Sequence, residues 1–202
     1  MEPRSNFIMW HHDVSIRELL GNLYPDFDVM WDFTDRIPGS FTRLNAAVLY
    51  RWASLSSMQN IVEIGVDQGR SASILLHCSE KTGNAVYLID KWGGILEANR
   101  QKTMEMTRHF PRAVFDVIAQ KSEEAAAIFH HPIHMLHIDA HHYEGGVDVD
   151  CRWWLPKLVS GGVVLFHDYG TTFDAVTKAV DEFTEGWEDL GSWDSLAVRR
   201  KP

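Results

Sequence analysis

Cysteine is scarce in this chain. Cys78 and Cys151 are the only two in 202 residues, and they stand apart without Cys-x-x-Cys spacing, which argues against a disulfide framework and a zinc knuckle. A reducing, cytoplasmic setting is the expectation. Long apolar runs are also missing: nothing approaches the roughly eighteen consecutive residues that a bilayer span needs, so the chain is expected to be soluble and unexported, with no membrane partner. Positive charge is thin, with 19 Lys and Arg against 28 Asp and Glu and a formal net charge of -9. The basic residues are scattered with no stripe that would follow a phosphate backbone, so nucleic acid is not an expected partner. Neither an internal repeat nor a low-complexity segment is present. The length suits one α/β domain with an extension, divided here into an arm or lid over residues 1–43 and a core over 44–202.

Within the arm, Pro3, Pro25, Pro38 and Gly39 act as breakers among aromatics that include Trp10, Phe27, Trp31 and Phe41, and the segment reads as irregular. Leu44, Val48, Trp52 and Leu55 then recur at helical spacing and predict a first helix. From Asn60 onward the pattern alternates. Short β-branched or apolar runs predict strands over 61–64, 85–89, 113–118, 133–138 and 163–166. Between them lie helical patterns over 70–80, 95–108, 122–129 and 147–158, where Pro156 should kink or end the last. A further helix is predicted from Phe173, and residues 187–200 suit two antiparallel strands. The alternation implies a Rossmann-like, doubly wound, mostly parallel sheet with helices on both faces and a C-terminal antiparallel pair.

The most informative stretch runs from Ile61 to Ser71, where an apolar strand ends in Glu63-x-Gly65-x-x-x-Gly69 and opens into a helix. Glycines at such a turn permit a positive φ and a close ligand approach, and a carboxylate at the strand's end can accept bonds from an amine or hydroxyl. A dinucleotide site instead uses Gly-x-Gly-x-x-Gly to cup a pyrophosphate, which a carboxylate at this point would repel. The negative charge suits a cationic sulfonium amino acid, and S-adenosyl-L-methionine is the cofactor the turn suggests. Glu63, Gly65, Gly69 and Ser71 are its candidate residues here.

In open parallel sheets ligands bind beyond the carboxyl ends of the strands. Four of the five predicted strand ends carry carboxylates: Glu63, Asp90, Asp139 and Asp168. Asp90 is the candidate acceptor for the ribose hydroxyls, and Trp92 a candidate wall for the adenine, although a tryptophan so near a strand end also suits the core. Ser122 opens a helix, where it is a plausible N-cap whose neighbours touch the adenine edge. Two carboxylates from adjacent strand ends, Asp139 and Asp168, make a hard oxygen site suited to a divalent metal such as Mg²⁺, and a nearby imidazole can take a proton near neutral pH.

Taken together, Glu63-x-Gly65, Leu88-Ile89-Asp90-x-Trp92, Ile138-Asp139-x-x-His142-x-Glu144 and Gly161-Gly162-x4-His167-Asp168-Tyr169 resemble the small class I methyltransferases that include macrolide-sugar O-methyltransferases of the mycinamicin type. More distantly they resemble catechol O-methyltransferase. The resemblance spans roughly residues 40–170. It implies in-line transfer of a methyl group from S-adenosylmethionine to a hydroxyl of a small molecule, a sugar or secondary metabolite, with a divalent metal (Mg²⁺ or Mn²⁺) holding that hydroxyl. Asp139 and Asp168 match the family's metal-binding acids and His142 its general base; Asp139 also belongs with the cofactor residues. His167 stands where the sugar methyltransferases have a glutamate ligand, and Tyr169 where the catechol enzyme has an asparagine. Both changes reduce the hard-oxygen character, and His167 as a third ligand would favour Mn²⁺, Fe²⁺ or Zn²⁺. A metal-independent O- or N-methyltransferase and a non-catalytic module binding the same cofactor remain open alternatives. The resemblance also favours a homo-oligomer.

His130, His131, His134 and His137 precede the acidic motif without zinc-ligand spacing; His137, two residues before Asp139, fits a hydrogen-bonded core histidine. His11 and His12 read as solvated polar residues of the arm.

Overall fold

A computed structural model describes residues 16–55, 59–143 and 145–202. Trp10, His11, His12, Pro3 and Glu144 lie outside the described residues.

The predicted strands form one sheet of seven in the order β3-β2-β1-β4-β5-β7-β6. These are β1 (Asn60–Ile64), β2 (Ala85–Asp90), β3 (Val114–Ala119), β4 (Ile133–Ile138), β5 (Leu158–Phe166), β6 (Glu188–Trp193) and β7 (Leu196–Arg200). The first five run parallel to one another, while β7 runs antiparallel to both β5 and β6. The order reverses between β1 and β4, and a crevice opens at the carboxyl ends there, as in other doubly wound sheets.

Strand alternation divides the core into two layers. Ile61, Met135 and Leu165 face one side, where they pack with α1 (Ile16–Leu20), α2 (Tyr24–Thr34), α3 (Arg43–Ser54) and α4 (Arg70–Thr82). Val62, Leu136, Val164 and Phe166 face the other, against α6 (Ser122–Ile128), α7 (Gly146–Trp154) and α8 (Asp174–Phe183). The remaining helix, α5 (Glu97–Thr107), adds Met106 to the first layer. Burial on both faces explains why β1 and β4 read as nearly continuous apolar runs.

The irregular arm expected over residues 1–43 needs correction, because 16–20 and 24–34 are helical. Pro25 sits in the first turn of α2, where its missing N–H costs nothing. Phe27, Met30 and Trp31 of that helix are buried, so much of the segment is core. The helix predicted from Leu44 is therefore the third. It opens with a capping box in which Thr42 Oγ1 accepts from the Asn45 amide at 3.1 Å and the Thr42 amide donates to Asn45 Oδ1 at 3.3 Å. Pro156 ends the helix expected over 147–158 early, at Trp154, and a single 3₁₀ turn (Leu155–Lys157) follows. Among the described residues, no helix is long and apolar enough to cross a membrane.

Candidate active site

A cavity of about 670 Å³ opens where β1, β2 and β4 end. Gly65, Ser71, Asp90, Ser122, Asp139 and His142 line it, so most of the expected site residues meet in one place. The structure also contributes wall residues that the sequence did not single out for the site: Pro38 to Phe41 on one side, with Lys91, Leu96, His141 and Tyr143 elsewhere. The 38–41 segment carries no chemical motif, and only its Pro-Gly pair marked it as a break.

Gly65 has φ +88, and a Cβ placed there would lie 2.0 Å from the Asp139 carbonyl oxygen. The crowding is backbone against backbone: the Asp139 amide donates to the Ile64 carbonyl at 2.8 Å, and the Gly65 amide to that of Ile89 at 2.9 Å. Glycine is thus required for β1 and β4 to close together beneath the cavity.

Asp90 ties the loops above. Its Oδ2 accepts from the amides of Val66 and Asp67, both at 2.9 Å, and its Oδ1 from the Trp92 amide at 3.0 Å. A carboxylate has about four acceptor positions, so capacity remains for a ligand hydroxyl.

Three expected cofactor residues do not reach the cavity surface. Glu63 follows the strand alternation into the first core layer, where it is fully buried with its Oε1 3.0 Å from His137 Nδ1. It lies beneath the turn and does not line the cavity. Trp92 is also buried; φ of 28 at this residue turns the indole inward, and its Nε1 donates to the Asp67 carbonyl at 2.8 Å. Leu96, and not Trp92, lines the cavity. Gly69 stands behind Ser71, against Met106. Ser122 does line the cavity but is not an N-cap, since α6 begins at Ser122 itself. Its hydroxyl donates to the fully buried Asp150 and accepts from Trp154 Nε1 at 2.8 Å. His141 Nδ1 lies 3.2 Å from the other oxygen of Asp150, and this bond raises the pKa of the imidazole above its ordinary value.

The acidic strand ends converge with two histidines. His142 Nε2 lies 2.9 Å from Asp168 Oδ2 and 3.7 Å from Asp139 Oδ1. Phe173 stacks on the His142 ring at 4.7 Å. The carboxylates of Asp139 and then Asp168 beside it raise the His142 pKa to about 9, against an opposing effect of burial. Burial would raise the pKa of either carboxyl, but the imidazole bonds outweigh it and hold both Asp139 and Asp168 below the ordinary carboxylate range. Asp168 also adopts φ +62, a left-handed backbone that a non-glycine residue rarely takes and that is often found at functional sites.

His167, expected as a further metal ligand, is engaged through both ring nitrogens. Its Nδ1 is bound to Asp139 Oδ1 at 3.1 Å and lies 3.3 Å from Asp168 Oδ2, while its Nε2 meets Ser195 Oγ at 3.2 Å. With both ring nitrogens engaged and the side chain 2% exposed, it supports the carboxylates from behind. Among the described residues, Asp139, His142 and Asp168 form the group able to hold a cation, offering ligand atoms all within 4.8 Å of one another.

A family model described as a methyltransferase domain matches residues 62–169, from the glycine turn through the acidic cluster. No curated protein sequence matches. Among solved structures, the Podospora anserina methyltransferase PaMTH1, determined with bound SAH (S-adenosylhomocysteine), aligns with a TM-score of 0.63 at 16% identity, covering 87% of each chain. CalS11, a TDP-rhamnose 3'-O-methyltransferase of calicheamicin biosynthesis, aligns at 0.57 and 12% identity, over 95% of this chain and 96% of that one. An rRNA methylase from Streptococcus thermophilus aligns at 0.56 and 17%, over 77% and 93%. At these identities the solved structures speak to the fold, and the family match carries the assignment. The chain belongs to the methyltransferase-domain family.

Proposed function

We propose that this protein is an O-methyltransferase acting on a hydroxyl of a small molecule, a sugar or secondary metabolite, with a divalent cation held by Asp139, Asp168 and His142. The observation that carries this reading is the convergence of those three side chains at the edge of the cavity, with ligand atoms within 4.8 Å. Two carboxylates and an imidazole fit Mg²⁺, Mn²⁺ or a related ion. Such an ion, when bound, lowers the pKa of a coordinated hydroxyl.

The chain's own groups divide the remaining work. Asp90 keeps acceptor capacity for the ribose hydroxyls, and Ser71 and Gly65 border the position of the sulfonium amino acid. His142 Nε2 serves one role at a time. With the ion bound it is a ligand and the hydroxyl proton leaves to solvent; without the ion, once relieved of its own proton, it accepts the proton of the acceptor hydroxyl. His167 and Ser195 hold Asp139 from the dry side. The cavity then has to align the hydroxyl oxygen, methyl carbon and sulfur in a line.

A small acceptor is favoured over RNA by the formal net charge of -9, which opposes a polyphosphate backbone. The fold itself is shared with both kinds of enzyme.

A second reading dispenses with the ion. His142 and His167, with pKa values raised to about 9 and 10, already supply positive charge to the two carboxylates at neutral pH. Methyl transfer from S-adenosylmethionine to a panel of hydroxylated sugars and phenols, with Mg²⁺, with Mn²⁺ and with a chelator, separates the readings. Metal-stimulated transfer abolished by Asp139→Ala/Asp168→Ala supports the first. Chelator-resistant transfer supports the second, and exclusive methylation of RNA in a parallel assay overturns both.

A further inference from the structure

Arg70 is the first residue of α4, directly after the glycine turn; it lines the cavity, and its guanidinium bonds back to the segment that precedes α3. Its Nε donates to the Phe41 carbonyl at 3.0 Å. Its Nη1 faces the carbonyls of Ile37 at 2.5 Å, Asp35 at 3.1 Å and Thr34 at 3.4 Å. Its Nη2 donates to Asp35 Oδ1 at 2.7 Å, and the guanidinium lies 5.1 Å from the centre of the Trp31 ring. One side chain, 13% exposed, thus grips the whole segment from Thr34 to Phe41.

The start of that segment is also held by the Asp35, Arg36 and Ile37 amides, which donate to the Trp31, Phe33 and Thr34 carbonyls, and by Thr34 Oγ1 at 2.7 Å from Ser73 Oγ, so the hold of Arg70 matters most from Ile37 to Phe41. The segment follows the end of α2 and precedes the cap of α3, and between them Pro38 and Gly39 interrupt regular hydrogen bonding. Its far side is nevertheless a wall of the cavity, through Pro38, Gly39, Ser40 and Phe41. Phe41 is buried, and its ring lies 5.1 Å from that of His167 and 5.5 Å from that of His137, closing the dry side of the acidic cluster. A planar guanidinium with donors in fixed directions suits this task, since one ammonium could not address carbonyls spread over eight residues.

We propose that Arg70 is a positioning residue that locks the Thr34–Phe41 strap to the cofactor turn, so that the acceptor wall and the cofactor site form as one unit. The proposal rests on the cavity being the cofactor site. It makes the two halves of the cavity energetically coupled: filling the turn side steadies the strap, and loosening the strap weakens the turn side.

The test compares wild type with Arg70→Ala and Arg70→Lys by backbone hydrogen exchange and by S-adenosylhomocysteine calorimetry. Arg70→Ala is expected to speed exchange over residues 34–41 by about tenfold or more and to weaken the ligand by about tenfold, leaving β1 and β4 protected. Arg70→Lys should fall between, and it keeps the test open if the alanine variant does not fold. Guanidinium at low millimolar concentration should restore part of the affinity of Arg70→Ala where sodium chloride does not. A general loss of stability would be worsened by guanidinium, so rescue reports the lost contact itself. Wild-type exchange over 34–41 in both variants, or unchanged affinity with no rescue to seek, overturns the proposal. Failure of the wild type to bind the ligand would instead fall on the cofactor-site reading, while the exchange comparison would still report whether Arg70 holds the strap.

Discussion

Replacing Gly65 by alanine tests how tightly β1 and β4 must close to form the site. The added Cβ would lie 2.0 Å from the Asp139 carbonyl oxygen, 2.5 Å from its carbon and 2.8 Å from Ala140 Cα. All three are main-chain atoms, so no rotamer change relieves the contact. The first distance is more than an ångström short of ordinary van der Waals contact, and the end of β4 has to move. Gly186 supplies the control, with a similar φ of +80 but nothing within 4 Å of an added Cβ. Gly186→Ala should therefore cost only the left-handed strain, about 1 kcal/mol. Gly65→Ala adds the collision, for a total of about 3 kcal/mol or more. In thermal unfolding the two correspond to losses of about 3 °C and about 10 °C for a chain of this size. Displacing Asp139 by about an ångström should also weaken S-adenosylhomocysteine by tenfold or more, as seen by calorimetry, because site geometry is that sensitive. Equal costs for the two variants, or normal ligand affinity in Gly65→Ala, would refute the reasoning.

Other perturbations follow from the same geometry. Asp26 anchors α2 to α3 and α4 through Tyr50, Lys81 and His77; burial would raise its pKa, but these partners lower it from 3.8 to about 2. A lowered carboxylate pKa stabilises above the ordinary value and loses that contribution as pH falls through the folded value. Asp26→Asn should cost about 1 kcal/mol at pH 6, after discounting for partial exposure, and the gap should shrink toward pH 2 in urea unfolding; a pH-independent gap would contradict the assignment. Trp92→Leu should reduce stability by about 2–3 kcal/mol through lost core packing while leaving ligand affinity within about threefold. Loss of affinity in a well-folded Trp92→Leu protein would restore the adenine-wall role.

The strands were legible because apolar runs ended at carboxylates and glycines, and the acidic strand ends Asp90 and Asp139 stand where that pattern predicts, on the cavity wall. The pattern gives the chain position of a carboxylate but not the direction of its side chain. Glu63 carries the same signal as Asp90, yet period-two alternation turns it into the core toward His137, a partner 74 residues away. Similarly, His167 differs from His142 through Ser195, which comes from the turn between the last two strands and engages its second nitrogen. The helices before residue 35 are hidden in the sequence because Pro25 reads as a breaker, although proline is compatible with a first helical turn. Arg70 lay inside the most informative motif, but the carbonyls it holds carry no side-chain signature in the sequence.

Every role proposed for these residues depends first on the cavity binding its cofactor. Calorimetric titration of chelator-stripped wild-type protein with S-adenosylhomocysteine should give a saturable isotherm with one site per chain, with affinity reduced in Asp90→Ala, where three backbone amides lose their acceptor. Absence of binding by the folded wild-type protein at ligand concentrations up to about 1 mM, or equal binding by a variant with Gly65, Asp90 and Asp139 all replaced, would contradict it.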